Sequence, residues 1–270
     1  MSLIPNIIHK VLLLDEYPAT DVFANSLDTW RVNNPGYSLH TYNSSSMHAI
    51  LQQYKMTREL EAINHVNANS GKVNIFRLIL LWLFGGWYSD YKQECLQYAL
   101  LDNIKNQSRQ NDLRRLTPEI VTCRDFGNKY SQKNNLFQNA FIGAPPRHPC
   151  ISGALKMQLR NVERQYYGKN PLDATGVGVW GRHVANNCLP SIECIHTRNF
   201  FYIAMIRHKC KTCLKGQDWI GGNNYNTLWY QHKYYKKTKG RQSPLIRVMS
   251  KYNTSGPTNR VSSVPPETEV

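Results

Sequence analysis

Arg77, Asp90 and Lys92 are the residues of this chain whose types and spacing promise chemistry, and they share one segment, VNIFRLILLWLFGGWYSDYKQECL, from Val73 to Leu96. From Val73 to Phe84 the segment is apolar on almost every face of a helix, so this helix is expected to lie buried in the middle of a domain. Arg77 is the exception, and a buried guanidinium requires a carboxylate. Asp90 is placed to supply it. Gly85-Gly86 ends the helix, since glycine accepts the left-handed conformation of a helix cap. A short strand from Trp87 to Tyr91 then carries Asp90 to the end of a sheet strand, where pockets form in α/β folds. Two uses of the pair stay open at this level: the wall of a ligand pocket, or an ion pair that neutralises an interior arginine.

The elements that must position these residues alternate. Ile4 to Leu14 is apolar and branched, with Pro5 at its start, and reads as a buried first strand. Asp21 to Asn33 has helical spacing through Val22, Phe23, Leu27 and Trp30 and is stopped by NNPG at 33–36. Tyr37 to Tyr42 reads as a second strand, and Ser44 to Ser46 as the cap of a helix carrying Ile50, Leu51 and Tyr54. Glu119 to Cys123 and Ala140 to Ala144 are further strands, followed by a helix from about Cys150 to Tyr166. This alternation predicts a three-layer α/β fold with a mainly parallel sheet. Residues 1–238 form the expected domain. The polar, basic, Ser/Thr/Pro-containing stretch from Lys239 to Val270 lacks periodicity and is expected to be a flexible tail.

The 270 residues and 31.2 kDa suffice for one large core, and 41% hydrophobic with 19% charged residues excludes disordered, collagen-like and coiled-coil classes. The longest apolar run, Leu78 to Phe84, is far short of the ~20 residues that cross a bilayer. The start, MSLIPNIIHK, lacks the pattern of a signal peptide. These features predict a soluble cytoplasmic protein of bacterial or viral type, or a luminal Golgi domain shorn of its anchor. Lys and Arg number 33 against 18 Asp and Glu, a net charge of +15. That balance favours polyanionic partners, among them nucleic acid, anionic membrane and phosphorylated small molecules, without choosing one. Late basic residues such as Lys209, Lys215, Lys233 and Lys237 read as a solvated face and tail.

Seven cysteines leave at least one thiol free, and without a secretory signal the thiols are expected to be mostly reduced. Cys188, Cys194, His196, His208, Cys210 and Cys213 contain one Cys-x-x-Cys but lack a second such pair, so a zinc site is disfavoured.

Several separated blocks resemble the Asp-x-Asp sugar transferases of glycosyltransferase family 32, whose core is similar to that of clostridial glucosylating toxins. Ile4 to Leu12 (IPNIIHKVL) resembles the family's opening strand, Ile-Pro-Lys-Ile-Ile-His-Gln-Ile-Trp. Trp30 to Tyr37 (WRVNNPGY) resembles its Trp-x-x-x-Asn-Pro-Gly-Tyr element. Asn74-x-x-Arg77, Gly85-Gly86-Trp87-Tyr88 and Asp90-Tyr91-Lys92 follow its core order, and NAFIGAPPRHPCI (139–151) and ATGVGVWG (174–181) resemble later segments. The resemblance implies a GT-A type nucleotide-sugar fold and retaining transfer of a sugar to a glycan hydroxyl. In that chemistry negative charge develops on the leaving diphosphate, usually against Mn2+ or Mg2+ held by the Asp-x-Asp pair. By the same resemblance Ile8, His9, Leu12, Asn74, Arg77, Tyr88, Asp90 and Asn139 would face the donor, with Arg77, Asp90 and Lys92 catalytic. Thr175, Gly176, His208 and Trp219 would lie toward the acceptor or the diphosphate.

Three positions depart from the family. Lys92 stands where the second acid belongs, Asn74 where an acid would meet sugar or ribose, and Leu12 where a Trp stacks on the base. Exchanging a carboxylate for an ammonium alters the local charge by two units. Unit charges ~4 Å apart interact by about 4 kcal/mol at an effective dielectric of 20, so a divalent ion beside Lys92 is disfavoured. Either Lys92 pairs with the diphosphate and transfer proceeds without metal, or it pairs with Asp90 and the protein is an inactive, binding relative. Of the remaining candidates, His9 in an apolar strand reads as a satisfied core histidine and His148, between prolines, as a loop former. The aromatic run WYQHKYY (229–235) reads as packing against the domain edge. Nucleic-acid binding rests on the charge alone and ranks third.

Overall fold

A computed structural model describes residues 4–13, 21–111, 120–124, 137–188, 192–195, 206–208 and 224–237. The expected tail beyond Lys239, Trp219, and the cysteines at 210 and 213 lie outside the described residues.

The chain alternates as expected. β1 (Ile7–Val11), α1 (Asp21–Asn33) and β2 (Ser38–Tyr42) come first, then α2 (Ser44–Gln53), α3 (Thr57–His65) and α4 (Asn69–Phe84). β3 (Gly86–Ser89), β4 (Gln93–Cys95), α5 (Leu100–Asn111), β5 (Ile120–Arg124) and β6 (Phe137–Ala144) follow. The last elements are α6 (Pro149–Glu163), α7 (Val177–Asn187), β7 (Ile192–Ile195), β8 (Ile206–His208) and α8 (Tyr225–Tyr230). The main sheet has the order β2-β1-β3-β6-β5-β7. β6 pairs antiparallel with both its neighbours and the other pairings are parallel, so only β6 runs against the rest. The mainly parallel three-layer α/β fold is therefore present.

Alternation along the strands splits the core in two, because successive side chains point to opposite faces. On one face Ile8, Trp87, Val121 and Phe141 bury Trp30 of α1 and Leu100, Leu101 and Ile104 of α5. On the other, Val11, Tyr88, Ile120 and Ile142 pack under α2, α3, α4, α6 and α7. α4 is the central helix of that second layer. Ile75, Phe76, Leu78, Ile79, Leu80 and Leu81 are all buried, each contributing about 1.5–3 kcal/mol by leaving water. That sum outweighs the few kcal/mol that a paired interior Arg77 costs. α4 ends where Gly85 and Gly86 take φ of 64° and 90°. A side chain there would also collide: Cβ atoms would lie 2.6 Å from Pro146 N and Ile7 O respectively.

Three local readings are corrected. β3 stops at Ser89, and Asp90 to Gln93 closes a turn in which Gln93 N donates to Asp90 O at 2.9 Å. The period-two geometry of a strand therefore does not relate Asp90 to Lys92. The cap of α2 is Asn43, whose side chain accepts from Ser46 N while Ser46 Oγ accepts from Asn43 N. α3 was not expected, because Thr57–His65 is largely polar and buries only Ala62 and Ile63. No described helix is long and apolar enough to cross a membrane.

The described thiols divide: Cys95 and Cys123 are reduced, as expected, and one pair is oxidised. Cys150 and Cys188 form a disulfide that joins the start of α6 to the residue after α7. His183 lies beside them, and Cys150, His183 and Cys188 are the described residues grouped closely enough to hold a metal. The sulfurs are joined to each other, however, and the imidazole contacts the Asn187 side chain at 3.3 Å. Cys188 thus leaves the zinc set considered from sequence, while the side chains of Cys194 and His208 lie outside the described residues.

Candidate functional site

The carboxyl ends of β1 and β3 lie side by side, and the chain leaves β1 toward β2 on one flank and returns to β3 on the other. A sheet opens a crevice at such a reversal. Because β6 is antiparallel to β3, its beginning reaches the same edge: Ser89 faces Phe141, and Asp90 N donates to Ala140 O at 2.9 Å. Asn139 is one residue further along. Topology alone thus brings Asp90 and Asn139 together across 49 positions of sequence, 139 minus 90.

Arg77 enters this edge from α4. Its Nη1 lies 3.1 Å from Asp90 Oδ1, and Nη1 also donates to Asn139 O. Its guanidinium stands 4.4 Å from the centre of the Tyr88 ring, a cation–π contact. Tyr88 OH donates to the same Asp90 oxygen at 2.8 Å. Burial pushes the Tyr88 hydroxyl well above its ordinary pKa, so it remains a donor. Arg77 is 5% exposed and Asp90 33%: the guanidinium is interior, while the carboxylate faces outward.

A line of neutral polar groups continues from Arg77. Asn139 Nδ2 donates to Asn74 Oδ1 at 2.9 Å, and Asn74 Nδ2 to Thr175 Oγ1 at 3.4 Å. Thr175 Oγ1 and Tyr234 OH are 2.7 Å apart, and Gln158 Nε2 fixes Thr175 O at 2.6 Å. Gly176 is the N-cap of α7, and a Cβ on it would lie 3.6 Å from Asn74 Nδ2. Asn74, Arg77, Tyr88, Asp90, Asn139, Thr175 and Gly176, all singled out from sequence, thus converge.

The side chains of Ile8, His9, Leu12 and His148 do not join this line. Ile8 is fully buried against Trp87 on the opposite face. His9 is buried, with Nδ1 2.9 Å from Tyr42 OH and Nε2 2.8 Å from Gly85 O. Burial lowers its pKa to about 4, which makes it the satisfied core histidine expected. Leu12 is half-buried and its N–H donates to Tyr42 O. His148 is the N-cap of α6 and accepts from Cys150 N. His208 is brought near by backbone pairing, since β8 pairs with β4 and sets His208 opposite Gln93. Lys92 is half-buried in the turn, with Nζ 5.2 Å from the Tyr91 ring centre.

Sequence reasoning missed two participants. Tyr234 is a fully buried ring in the run read as edge packing. It enters beside Gly71 of α4, where any Cβ would strike its hydroxyl. Lys10 is the other. It is fully buried, and Nζ lies 3.2 Å from Ser26 Oγ, 3.1 Å from Ser89 Oγ, 3.0 Å from Asp90 O and 2.7 Å from Gln93 O. A resemblance to an opening strand with Gln at this position gave no reason to expect an interior ammonium.

A divalent cation fits this donor set poorly. Hard cations want several oxygen ligands, and carboxylates above all. The turn offers the carboxylate of Asp90 with Lys92 two residues on, and the Lys10 ammonium lies beneath it.

Residues 20–111 match the family model described as glycosyltransferase sugar-binding region containing DXD motif. The match includes Asn74, Arg77, Tyr88, Asp90 and Lys92, with Asp-Tyr-Lys in place of the motif that gives the family its description. Among solved structures the chain is similar to "PaToxG Glycosyltransferase", at 18% identity and a TM-score of 0.49, over 67% of this chain and 68% of that one. It is also similar to the glycosyltransferase domain of the YGT toxin. The UDP-bound form aligns at 10% identity and TM-score 0.41, covering 67% of this chain and 77% of that one. The ligand-free form aligns at 10% and 0.44, with the same coverage. No curated protein matches the chain by sequence.

Proposed function

We propose that this protein is a GT-A type glycosyltransferase that moves a sugar, with retention, from a nucleotide donor to a glycan hydroxyl without a metal. The observation that carries the reading is the continuous line Asp90–Arg77–Asn139–Asn74–Thr175 at the crevice edge of the sheet. Asp90, Arg77 and Asn74 of that line fall inside the region, residues 20–111, that matches a glycosyltransferase sugar-binding family model. Asp90 accepts a sugar hydroxyl, and the amides of Asn74 and Asn139 offer both donors and acceptors to a neutral, hydroxyl-rich ligand. Lys92 neutralises the diphosphate as a point charge. In the reaction the bond from the anomeric carbon to the diphosphate breaks, the acceptor oxygen bonds to that carbon, and the acceptor's proton leaves with the diphosphate.

One observation favours a second reading: two of the family's acids are replaced, by Lys92 and Asn74, as expected of an inactive relative whose donor pocket is dead and which binds glycans or partners. Thermal stabilisation by UDP, GDP, CMP and their sugar conjugates, with EDTA and with Mn2+, separates the two, because ligands raise the melting point with occupancy. Stabilisation by one donor in EDTA, lost in Arg77→Ala, supports metal-free transfer. Stabilisation only with Mn2+ refutes the metal-free part, and no response to any donor refutes the transferase.

A further inference from the structure

The Lys10 ammonium is the most completely enclosed charge described in this protein, and its surroundings are built for it. Ser26 Oγ gives its proton to Gln93 O at 2.7 Å, and Ser89 Oγ gives its own to Gln93 Oε1 at 2.8 Å. Both hydroxyls can therefore only accept from Lys10, and the other two neighbours are carbonyls. Burial pushes the Lys10 pKa well below its ordinary value, opposed first by the Asp90 charge, but the hydrogen bonding favours the charged form: three N–H bonds of an ammonium face four acceptors, and an amine lone pair would find no donor among them. Trp30 closes the site, with its ring centre 5.0 Å from Nζ and its Nε1 donating to Gln93 O at 2.6 Å.

Burying a charge costs several kcal/mol unless its hydrogen bonds are met. An apolar side chain of similar length would fill the space without that cost, so the ammonium must act on its neighbours. Two of the acceptors are the carbonyls at the two ends of the Asp90–Gln93 turn, and a third is the last side chain of β3. One interior cation therefore draws both ends of the turn to a single point, while Gln93 Oε1 accepts from Asp90 N at 3.0 Å and locks the same peptide. What the turn displays outward is Asp90 and Lys92.

We propose that Lys10 is a positioning residue: its interior ammonium sets the conformation of the Asp90–Gln93 turn and thereby the placement of Asp90 and Lys92 at the donor site. The consequence for ligands rests on the transferase reading, whereas the consequence for the turn does not. Asp90 is thus served by two cations, Arg77 from α4 at its carboxylate and Lys10 from β1 at its backbone.

The test uses the full chain with Lys10→Met, which keeps length and removes charge, and Lys10→Gln, which keeps hydrogen-bond donors and serves where Lys10→Met does not fold. Amide hydrogen exchange is followed at Gln93, whose N–H closes the turn, with Leu78 to Leu81 of α4 as the internal reference. Exchange at Gln93 is expected to accelerate about tenfold beyond any change in α4, the loss of roughly one charge-assisted hydrogen bond. UDP and GDP binding is then measured by calorimetry. The nucleotide that binds wild type should bind the variant about tenfold more weakly, and the same substitution should have little further effect in a Lys92→Ala background, since the two act through one turn. Unchanged Gln93 exchange, or equal weakening in both backgrounds, overturns the proposal. If neither nucleotide binds wild type, the transferase reading fails, and the exchange measurement alone still decides the role of Lys10.

Discussion

Arg77 Nη1 and Asp90 Oδ1 meet at 3.1 Å across the boundary of the core, with the cation inside and the anion a third exposed. The asymmetry makes the two halves of the pair unequal. Asp90→Asn strands an interior guanidinium, and removing the partner of a buried charge costs about 3 kcal/mol. Arg77→Met removes the interior charge itself, and Asp90 turns to water, so about 1–2 kcal/mol is expected. Urea denaturation of both variants checks the order, and a costlier Arg77→Met would contradict the assignment of the burden to the buried partner.

His9 predicts an acid-sensitive stability. Its pKa is about 4 in the folded protein against 6.5 for an ordinary histidine, so the unfolded chain takes up the proton first as pH falls. Stability due to the neutral ring is fully present above about pH 6.5 and lost between there and about pH 4. The maximum loss is about 3 kcal/mol at 1.36 kcal/mol per pH unit. Denaturation curves at pH 7.5 and 4.5, the latter still above the folded pKa, should differ by about 2.5 kcal/mol more in wild type than in His9→Gln. An equal difference in the two proteins rules His9 out as the source.

The Cys150–Cys188 bridge spans a separation of 38 residues, and a loop of that size restricts the unfolded chain by about 3–4 kcal/mol. Cys150→Ser with Cys188→Ser should lower stability by about that amount. Because the bridge fastens α7, whose N-cap Gly176 adjoins Asn74, donor-induced stabilisation should weaken too. Mass spectrometry after alkylation of the native protein checks the bridge itself: Cys150 and Cys188 modified without reductant would remove it.

Gly71 and Tyr234 should behave as a coupled pair. Gly71→Ala drives a methyl into the Tyr234 hydroxyl and to 2.8 Å from Val66 Cγ1, and overpacking of this kind costs about 1–3 kcal/mol. Tyr234→Phe removes the contact with Thr175 at a cost of about 1 kcal/mol. The double variant should be less destabilised than the sum, as neighbours sharing one space do not add. Strict additivity would place Tyr234 elsewhere.

Much of this was legible in the chain itself. Period and punctuation determined the elements: the all-round apolar stretch of α4, its Gly85-Gly86 stop, and the strand and helix alternation that predicts a parallel α/β sheet. They also marked Arg77 as a charge that needs Asp90, because an apolar helix leaves a guanidinium no other recourse. The polar α3 escaped because its burial comes from neighbours rather than from its own pattern.

The tertiary structure alone decided what meets what. Asp90 and Asn139 share an edge only because β6 runs antiparallel to β3, and Thr175 joins them only because α7 starts beneath Asn74. Tyr234 reaches the line through a gap left by Gly71, and Lys10 finds four oxygens drawn from α1, β3 and a turn. Sequence encodes such contacts as separate local preferences, each satisfiable in many folds. Hydrogen bonds between distant segments take their partners from the one packing that buries all those preferences together, and that packing first exists in three dimensions.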